Sequence, residues 1–298
     1  MVRLTSLDAF RGFAALIVLI YHVAAVYGLG GQSKGYLAVD FFFMLSGFVI
    51  ERVLQKSSRT PLQFMRARYI RFWPTMAAGT LLGLLFIAQP GWVGQALMGF
   101  LLIPLFAGKF VFPLNPPAWS IFFELSANAL HSAVRRSWLL IFLVSLTWLT
   151  LTGGFGGGPN PGNFLAGAPR VLTSYSLGVL MYQRWGEHPP VNLPSACGLL
   201  LAALLLPFVS PLFDYGFVLL LCPVIILSGV RGNIPFAEEL GALSFPLYAV
   251  HYPILLSAKA NGLHPAVATL LVIASAAALS AAAANWTWRR EPRPQPSC

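Results

Sequence analysis

Apolar runs long enough to cross a membrane follow one another along almost the whole chain, separated by short polar stretches. A helix needs roughly 20 mainly apolar residues to span the hydrocarbon core. Runs of this kind lie near 7–29, 36–54, 72–88, 119–134, 137–152, 169–185, 193–209, 215–230, 243–259 and 265–287. An eleventh, 92–107, contains glycine and ends in the proline-bearing stretch 104–117. Only 9% of the residues are charged, against about 25% in soluble domains, so the chain lacks the polar surface to coat a globule in water. The pattern predicts an all-α, polytopic membrane helix bundle forming one domain over residues 1–298. The first run carries Arg11 and His22, exceeds a usual signal-peptide core and has no small-residue cleavage site, so it is expected to be the first span.

The net charge of +10 is spread between the apolar runs rather than gathered on one solvated face. That distribution speaks for topology and against a nucleic-acid partner. With the N-terminus inside and 92–107 not crossing, 14 basic residues face the cytoplasm and 4 (Lys34, Lys109, Arg170 and Lys259) face outward. If 92–107 crosses, the same count becomes 10 against 8. Because Lys and Arg concentrate in cytoplasmic loops, the expectation is about ten transmembrane helices. Both termini are then cytoplasmic, and 92–107 is re-entrant or lies at the outer surface. The Gly- and Pro-rich stretch 153–163 becomes an external loop. Cys197, Cys222 and Cys298 are far apart and form no metal or redox spacing, so no metal is expected.

Ionisable residues at bilayer depth are costly and tend to mark function. Arg11, His22, Asp40, Glu124, His131 and His251 fall within the runs. Arg11 and His22 are eleven residues apart, which puts them on one helix face about 16 Å apart along the axis. The predicted topology brings His22, Asp40 and Glu124 from three helices to similar depth in the outer half. That is a candidate catalytic cluster, a base with carboxylates to orient it. On the cytoplasmic side Arg66, Arg68 and Arg71 form a compact basic group that, with Arg11, suits a multiply phosphorylated anion. The same arginines also fit simple topology anchors, His131 fits an interhelical hydrogen bond, and Asp40 fits an ion pair with Arg11.

Several segments resemble the acyltransferase-3 family of integral-membrane O-acyltransferases, in the family's order and over nearly the whole chain. LDAFRGFAALIVLIYHV (Leu7–Val23) is similar to its opening signature, an Arg, ten residues and a His, here Arg11 and His22. AVDFFFMLSGFVI (Ala38–Ile50), RARYIRFWP (Arg66–Pro74), WSIFFE (Trp119–Glu124), SFPLYAVHYPI (Ser244–Ile254) and RREPRP (Arg289–Pro294) resemble its later segments. After Glu124 the family's aromatic-rich continuation is replaced by LSANAL.

The resemblance implies transfer of an acyl group, commonly acetyl, from cytoplasmic acyl-CoA such as acetyl-CoA. The acceptor it implies is a hydroxyl of an extracytoplasmic carbohydrate, glycolipid or secondary metabolite. It also implies a multi-pass protein of a bacterial cytoplasmic membrane, in contact with membrane lipid. On this reading Arg11, Arg66, Arg68 and Arg71 hold the CoA phosphates and His22 is the general base or an acyl carrier. Glu124 or Asp40 supports His22, and Trp119, Ser120, Tyr248 and His251 line the substrate pocket. The rival readings are a secondary transporter that uses the same acids and histidines as a proton relay, and a membrane scaffold without activity.

Overall fold

A computed structural model describes residues 4–30, 33–87, 90–191, 196–205, 210–232 and 234–288. Arg3 and the terminal RREPRP stretch, to which the sequence reading assigned a cytoplasmic position, lie outside the described residues. Among the described residues there are helices and loops and no strand. The helices are α1 (Thr5–Tyr27), α2 (Ala38–Gln55), α3 (Pro61–Ile87), α4 (Trp92–Leu101), α5 (Ala118–Ala133), α6 (Trp138–Leu151), α7 (Gly167–Trp185), α8 (Ala196–Leu205), α9 (Pro211–Gly216), α10 (Cys222–Gly229), α11 (Ala237–Ala260) and α12 (Pro265–Trp288). A π-helical turn, Phe217–Leu221, joins α9 and α10 into one rod.

Five helices are long and apolar enough to cross a membrane: α1, α3, the α9–α10 rod, α11 and α12. α2, α5 and α7 carry their polar groups inward, among them the buried Asp40, Glu51, His131 and Arg170. Their lower hydropathy is therefore a property of the bundle interior. Leu139, Leu143, Leu151, Leu270 and Leu271 on α6 and α12 are exposed, as expected where lipid is the solvent.

α3 starts eleven residues before the apolar run that announced it. Pro61 occupies its first turn, the Gln63 amide N–H donates to Thr60 Oγ1 (3.3 Å), and the Thr60 N–H donates to Gln63 Oε1 (3.0 Å). This is a reciprocal capping box. Arg66, Arg68 and Arg71 thus ride on α3, ahead of its apolar stretch.

Side-chain pairings fix the relative directions of the helices. Asp40 meets Arg170 and Glu51 meets Gln183, so α2 and α7 are parallel. Ser46 meets Glu124 and Glu51 meets His131, so α5 runs the same way. α1 and α11 are parallel to each other, with Gly12 against Leu240 and His22 against His251. α3 is parallel to α11, through Phe72–Phe245 and Gly79–Ala249. α3 is antiparallel to α5: Arg68 meets Glu124, while Gly83 lies against Leu114 just before α5. One face of the molecule is therefore where α1, α3 and α11 begin and where α2, α5 and α7 end. We call it the basic face, because Arg52, Lys56, Arg59 and Arg135 lie there.

Close approach of backbones sets the core. A Cβ on Gly47 would lie 2.0 Å from the Tyr175 carbonyl oxygen, and one on Gly178 would lie 1.9 Å from that of Met44. This reciprocal pair brings α2 and α7 into backbone contact, the usual role of small residues between membrane helices. α11 contains Pro246 and Pro253, each of which deprives the carbonyl four residues earlier of its helical donor. Both carbonyls find replacements from neighbouring elements. Ser280 Oγ donates to Ala242 O (3.3 Å) and Asn115 Nδ2 to Ala249 O (2.9 Å). The prolines bracket Tyr248 and His251.

Candidate active site

A cavity of about 450 Å³ opens among α1, α2, α3, α5 and α11. Arg11, Arg59, Arg68 and Arg71 contribute to its wall together with Asp8 and Glu124. The helix directions place the arginines toward the basic face, with Ser120 and Tyr248 at the opposite, inner end. The Arg11 Nη1 donates to Asp8 Oδ1 (3.0 Å) and the Arg68 Nη2 to Glu124 Oε1 (3.2 Å). Glu124 Oε1 also accepts from Ser46 Oγ (2.7 Å). Among the described residues no carboxylate lies within ion-pair distance of Arg59 or Arg71. Two unpaired guanidinium groups beside two paired ones make a mouth suited to a multiply charged anion.

Helix phase sorts the three arginines of RARYIR. Arg68 and Arg71, three residues apart, share the cavity side of α3. Arg66 is two residues from Arg68, about 200° round the helix, and is exposed outside the cavity. The arginine trio expected from the sequence is thus a pair, and Arg59 joins it.

At the inner end, the Ser120 and Tyr248 hydroxyls are 2.6 Å apart, and both approach the Pro117 carbonyl at 3.1 Å. Beyond Tyr248 lies a histidine pair. The His251 ring is fully buried and 4.8 Å from the half-buried His22 ring. The His22 Nδ1 lies 2.9 Å from Val18 O and 3.2 Å from His251 Nε2, and the His251 Nδ1 lies 2.7 Å from Tyr248 O. Carbonyl oxygens only accept, so both Nδ1 atoms carry the hydrogen in the neutral rings. His251 Nε2 is then the acceptor for His22 Nδ1–H, and the His22 Nε2 lone pair has no hydrogen-bond donor among the described residues. This arrangement prepares an imidazole to take a proton.

The carboxylate expected beside His22 is not among its neighbours. Glu124 is held by Ser46 and Arg68. Asp40 is fully buried in a pair with Arg170, Nη2 to Oδ2 at 2.6 Å and Nε to Oδ1 at 3.0 Å, with Ser174 Oγ at 3.2 Å. Neither hydrogen-bonds to His22, whose orienting partner is His251. Nor does Asp40 pair with Arg11. Trp119 also faces away from the cavity, stacking edge-on against Phe43 and Phe123 with the Arg170 guanidinium 5.6 Å from its ring centre.

Arg170 is the residue that sequence reasoning missed most completely. Counted there as an outward-facing surface charge, it is buried, and it also donates to the carbonyls of Gly157 (2.7 Å) and Tyr36 (2.9 Å). It thereby ties the glycine-rich 153–163 segment to α2. Nearby, Lys34 Nζ lies 2.7 Å from Asp214 Oδ1, and Tyr36 OH donates to Asp214. No motif announces the pairings of Arg170 with Asp40 and Tyr36 or of Asp214 with Lys34 and Tyr36, because their partners are more than a hundred residues apart.

The fold and site define a multi-pass helical membrane protein with an arginine-lined cavity that ends at a buried hydroxyl pair, with a histidine pair just beyond it. Residues 4–287 match the acyltransferase-3 family, described as an acyltransferase domain, and the chain belongs to that family. It is also 33% identical over 177 residues to "Protein 2 in picA locus" of Rhizobium radiobacter, an alignment covering 48% of this chain and 91% of that protein. No solved structure matches the chain. The family makes it a membrane transferase of acyl groups.

Proposed function

We propose that the chain transfers an acyl group, acetyl in the simplest case, from acyl-CoA to a hydroxyl on the far side of a bacterial cytoplasmic membrane. The acceptor is a carbohydrate, a glycolipid or a small secondary metabolite. The observation that carries this reading is the cavity itself: arginines at the end near the basic face, a hydroxyl pair at the inner end and a histidine pair just beyond. Arg59 and Arg71, with Arg11 and Arg68, would hold the CoA phosphates, and the pantetheine arm would run inward to Ser120 and Tyr248. With one hydroxyl hydrogen kept on the Pro117 carbonyl, the other can turn to donate to a thioester oxygen as it gains negative charge.

The acceptor oxygen attacks the thioester carbon, its proton passes to His22 Nε2, the C–S bond breaks, and an ester and a CoA thiolate result. A covalent acyl-His22 intermediate divides the same transfer into two steps. Membrane topology supports a donor and an acceptor on opposite sides. α4 has ten residues, about 15 Å of helix, half of a hydrocarbon core of about 30 Å. The antiparallel α3 and α5 favour an α4 that does not cross. We therefore read ten crossings, with both termini and the basic face cytoplasmic.

Proteoliposomes given labelled acyl-CoA on the basic-face side, with membrane extract as acceptor, test the reading. The expected result is acyl-CoA consumption by the wild type, its loss in His22→Ala, and a raised KM for acyl-CoA in Arg71→Ala. Full activity in a folded His22→Ala would remove His22 from the chemistry. Proton-coupled solute flux without acyl-CoA consumption would replace the reading with transport.

A further inference from the structure

Polar residues recur along one side of α5 at Ser120, Glu124, Asn128 and His131, the i, i+4, i+8, i+11 spacing of a single helix face. The run covers about 16 Å, and every member meets a polar group from another helix. Ser120 meets Tyr248, Glu124 meets Ser46 and Arg68, Asn128 Oδ1 accepts from Tyr175 OH (2.9 Å), and His131 Nε2 lies 2.7 Å from Glu51 Oε2. His131 Nδ1 is 3.0 Å from the same Tyr175 hydroxyl. Glu51 Oε1 accepts from Gln55 (2.8 Å) and Gln183 (3.0 Å), and Gln55 is the last residue of α2, at the basic face. Asn128, His131 and Tyr175 are fully buried. The acyl-transfer chemistry uses none of Glu51, His131, Tyr175 or Asn128.

Hydrogen counting gives this seam two states. Tyr175 has one hydroxyl hydrogen and two neighbours able to accept it, Asn128 Oδ1 and a neutral His131 Nδ1. When His131 is an imidazolium it donates to Glu51 and to the Tyr175 oxygen, and Tyr175 donates to Asn128. When it is neutral, with Nε2–H on Glu51, Tyr175 donates to Nδ1, and a reversed Asn128 amide donates to the Tyr175 oxygen. Between Tyr175 and Glu124, Asn128 Nδ2 and Arg68 Nε are buried donors without a protein partner among the described residues. Leaving such donors unsatisfied is expensive, and a water bonded to them would close the gap to Glu124. The other charge beside His131 is Arg135, whose guanidinium donates to Leu54 O (2.7 Å).

We propose that this seam is a proton path from the basic face to Glu124 on the cavity wall. The inference rests on the acyl-CoA reading. With the donor seated, the cavity is filled from its mouth to Ser120, so the thiolate formed at the inner end has no water column of its own. A proton from water at the basic face enters at Glu51 and crosses His131 from Nε2 to Nδ1. It then passes Tyr175 and the bridging water to Glu124 and ends on sulfur as the CoA thiol. The proton taken from the acceptor hydroxyl leaves His22 toward the opposite face, so each turnover carries the charge of one proton and no other co-reactant is needed.

The test follows thiol release from acyl-CoA in proteoliposomes by the wild type, Glu51→Gln, His131→Gln and Tyr175→Phe. The last keeps the ring and its packing. Each variant is expected to lose about a hundredfold in kcat with the acyl-CoA KM unchanged, the deficit deepening as pH on the basic-face side is raised. A pH indicator on that side should record proton uptake in step with thiol release by the wild type. Wild-type kcat in Tyr175→Phe at every pH, or wild-type turnover without proton uptake on that side, would overturn the path alone. A folded wild type that releases no thiol would overturn the acyl-CoA reading and the path with it.

Discussion

In the proposed transfer, the His22–His251 contact decides what kind of base His22 is. An imidazole oriented by a carboxylate gains an ionic partner once protonated, whereas one oriented by a neutral imidazole gains only a hydrogen bond. His251→Phe removes the acceptor for His22 Nδ1–H while leaving Val18 O. One hydrogen bond at about 1 kcal/mol corresponds to a several-fold fall in kcat, with the KM for acyl-CoA unchanged. That is far milder than the loss expected in His22→Ala, and steady-state kinetics on both separates an orienting residue from a reacting one. Asp40 predicts a different phenotype. Asp40→Asn leaves the Arg170 guanidinium buried without its counter-charge, a loss of about 3–5 kcal/mol, read as a lower unfolding temperature in detergent. The double variant Asp40→Leu with Arg170→Leu should recover most of it, because both buried charges are then gone.

At the scale of elements, the apolar runs were legible because membrane length and hydropathy are local properties, and each run became a helix. The start of α3 was legible too, in the sequence Thr60-Pro-Leu-Gln63, but hydropathy alone hid it under the polar first turns. Once that start is known, helix phase separates Arg68 and Arg71 from Arg66. What stayed hidden was which helices touch. Nothing near Asp40 names Arg170, nothing near His22 names His251, and Glu51 in ERVLQK looks like a residue of the span's polar end. The ends of α2 and α7 illustrate such a pairing: Glu187, just past α7, accepts from Arg52 Nε (2.8 Å) and Lys56 Nζ (2.9 Å). These hydrogen bonds hold its carboxyl down to about 2, below the ordinary glutamate value of about 4.3. The stabilisation is therefore complete above the ordinary value and fades as pH falls toward about 2. Unfolding temperatures of Glu187→Gln and wild type should differ slightly near neutral pH and converge in acid, with a pH-independent difference arguing that the staple is not ionic.

For the whole molecule, chemistry and topology stand or fall together, because the arginine end of the cavity and the basic ends of α2, α5 and α7 share one face. Lys and Arg left on the cytoplasmic side and arginines proposed to receive the phosphates of a cytoplasmic acyl donor then serve the same orientation. α4 is the hinge of that argument. If it crossed, α5 and everything after it would invert relative to α3, and Arg68 could not meet Glu124 while Gly83 lies against Leu114. Single-cysteine accessibility in a cysteine-free background tests this in membranes. Ser58→Cys, between α2 and α3, should react from the cytoplasmic side, whereas Lys109→Cys, Gly158→Cys and Asn261→Cys should react from the other. An α4 that crosses would move all three to the cytoplasmic side, and with them the far ends of the helices that carry Ser120 and His251. That labelling pattern would leave donor cavity and histidine pair without opposite sides to serve, and the transmembrane direction of acyl transfer would have to be abandoned even if acyl-CoA turnover remained.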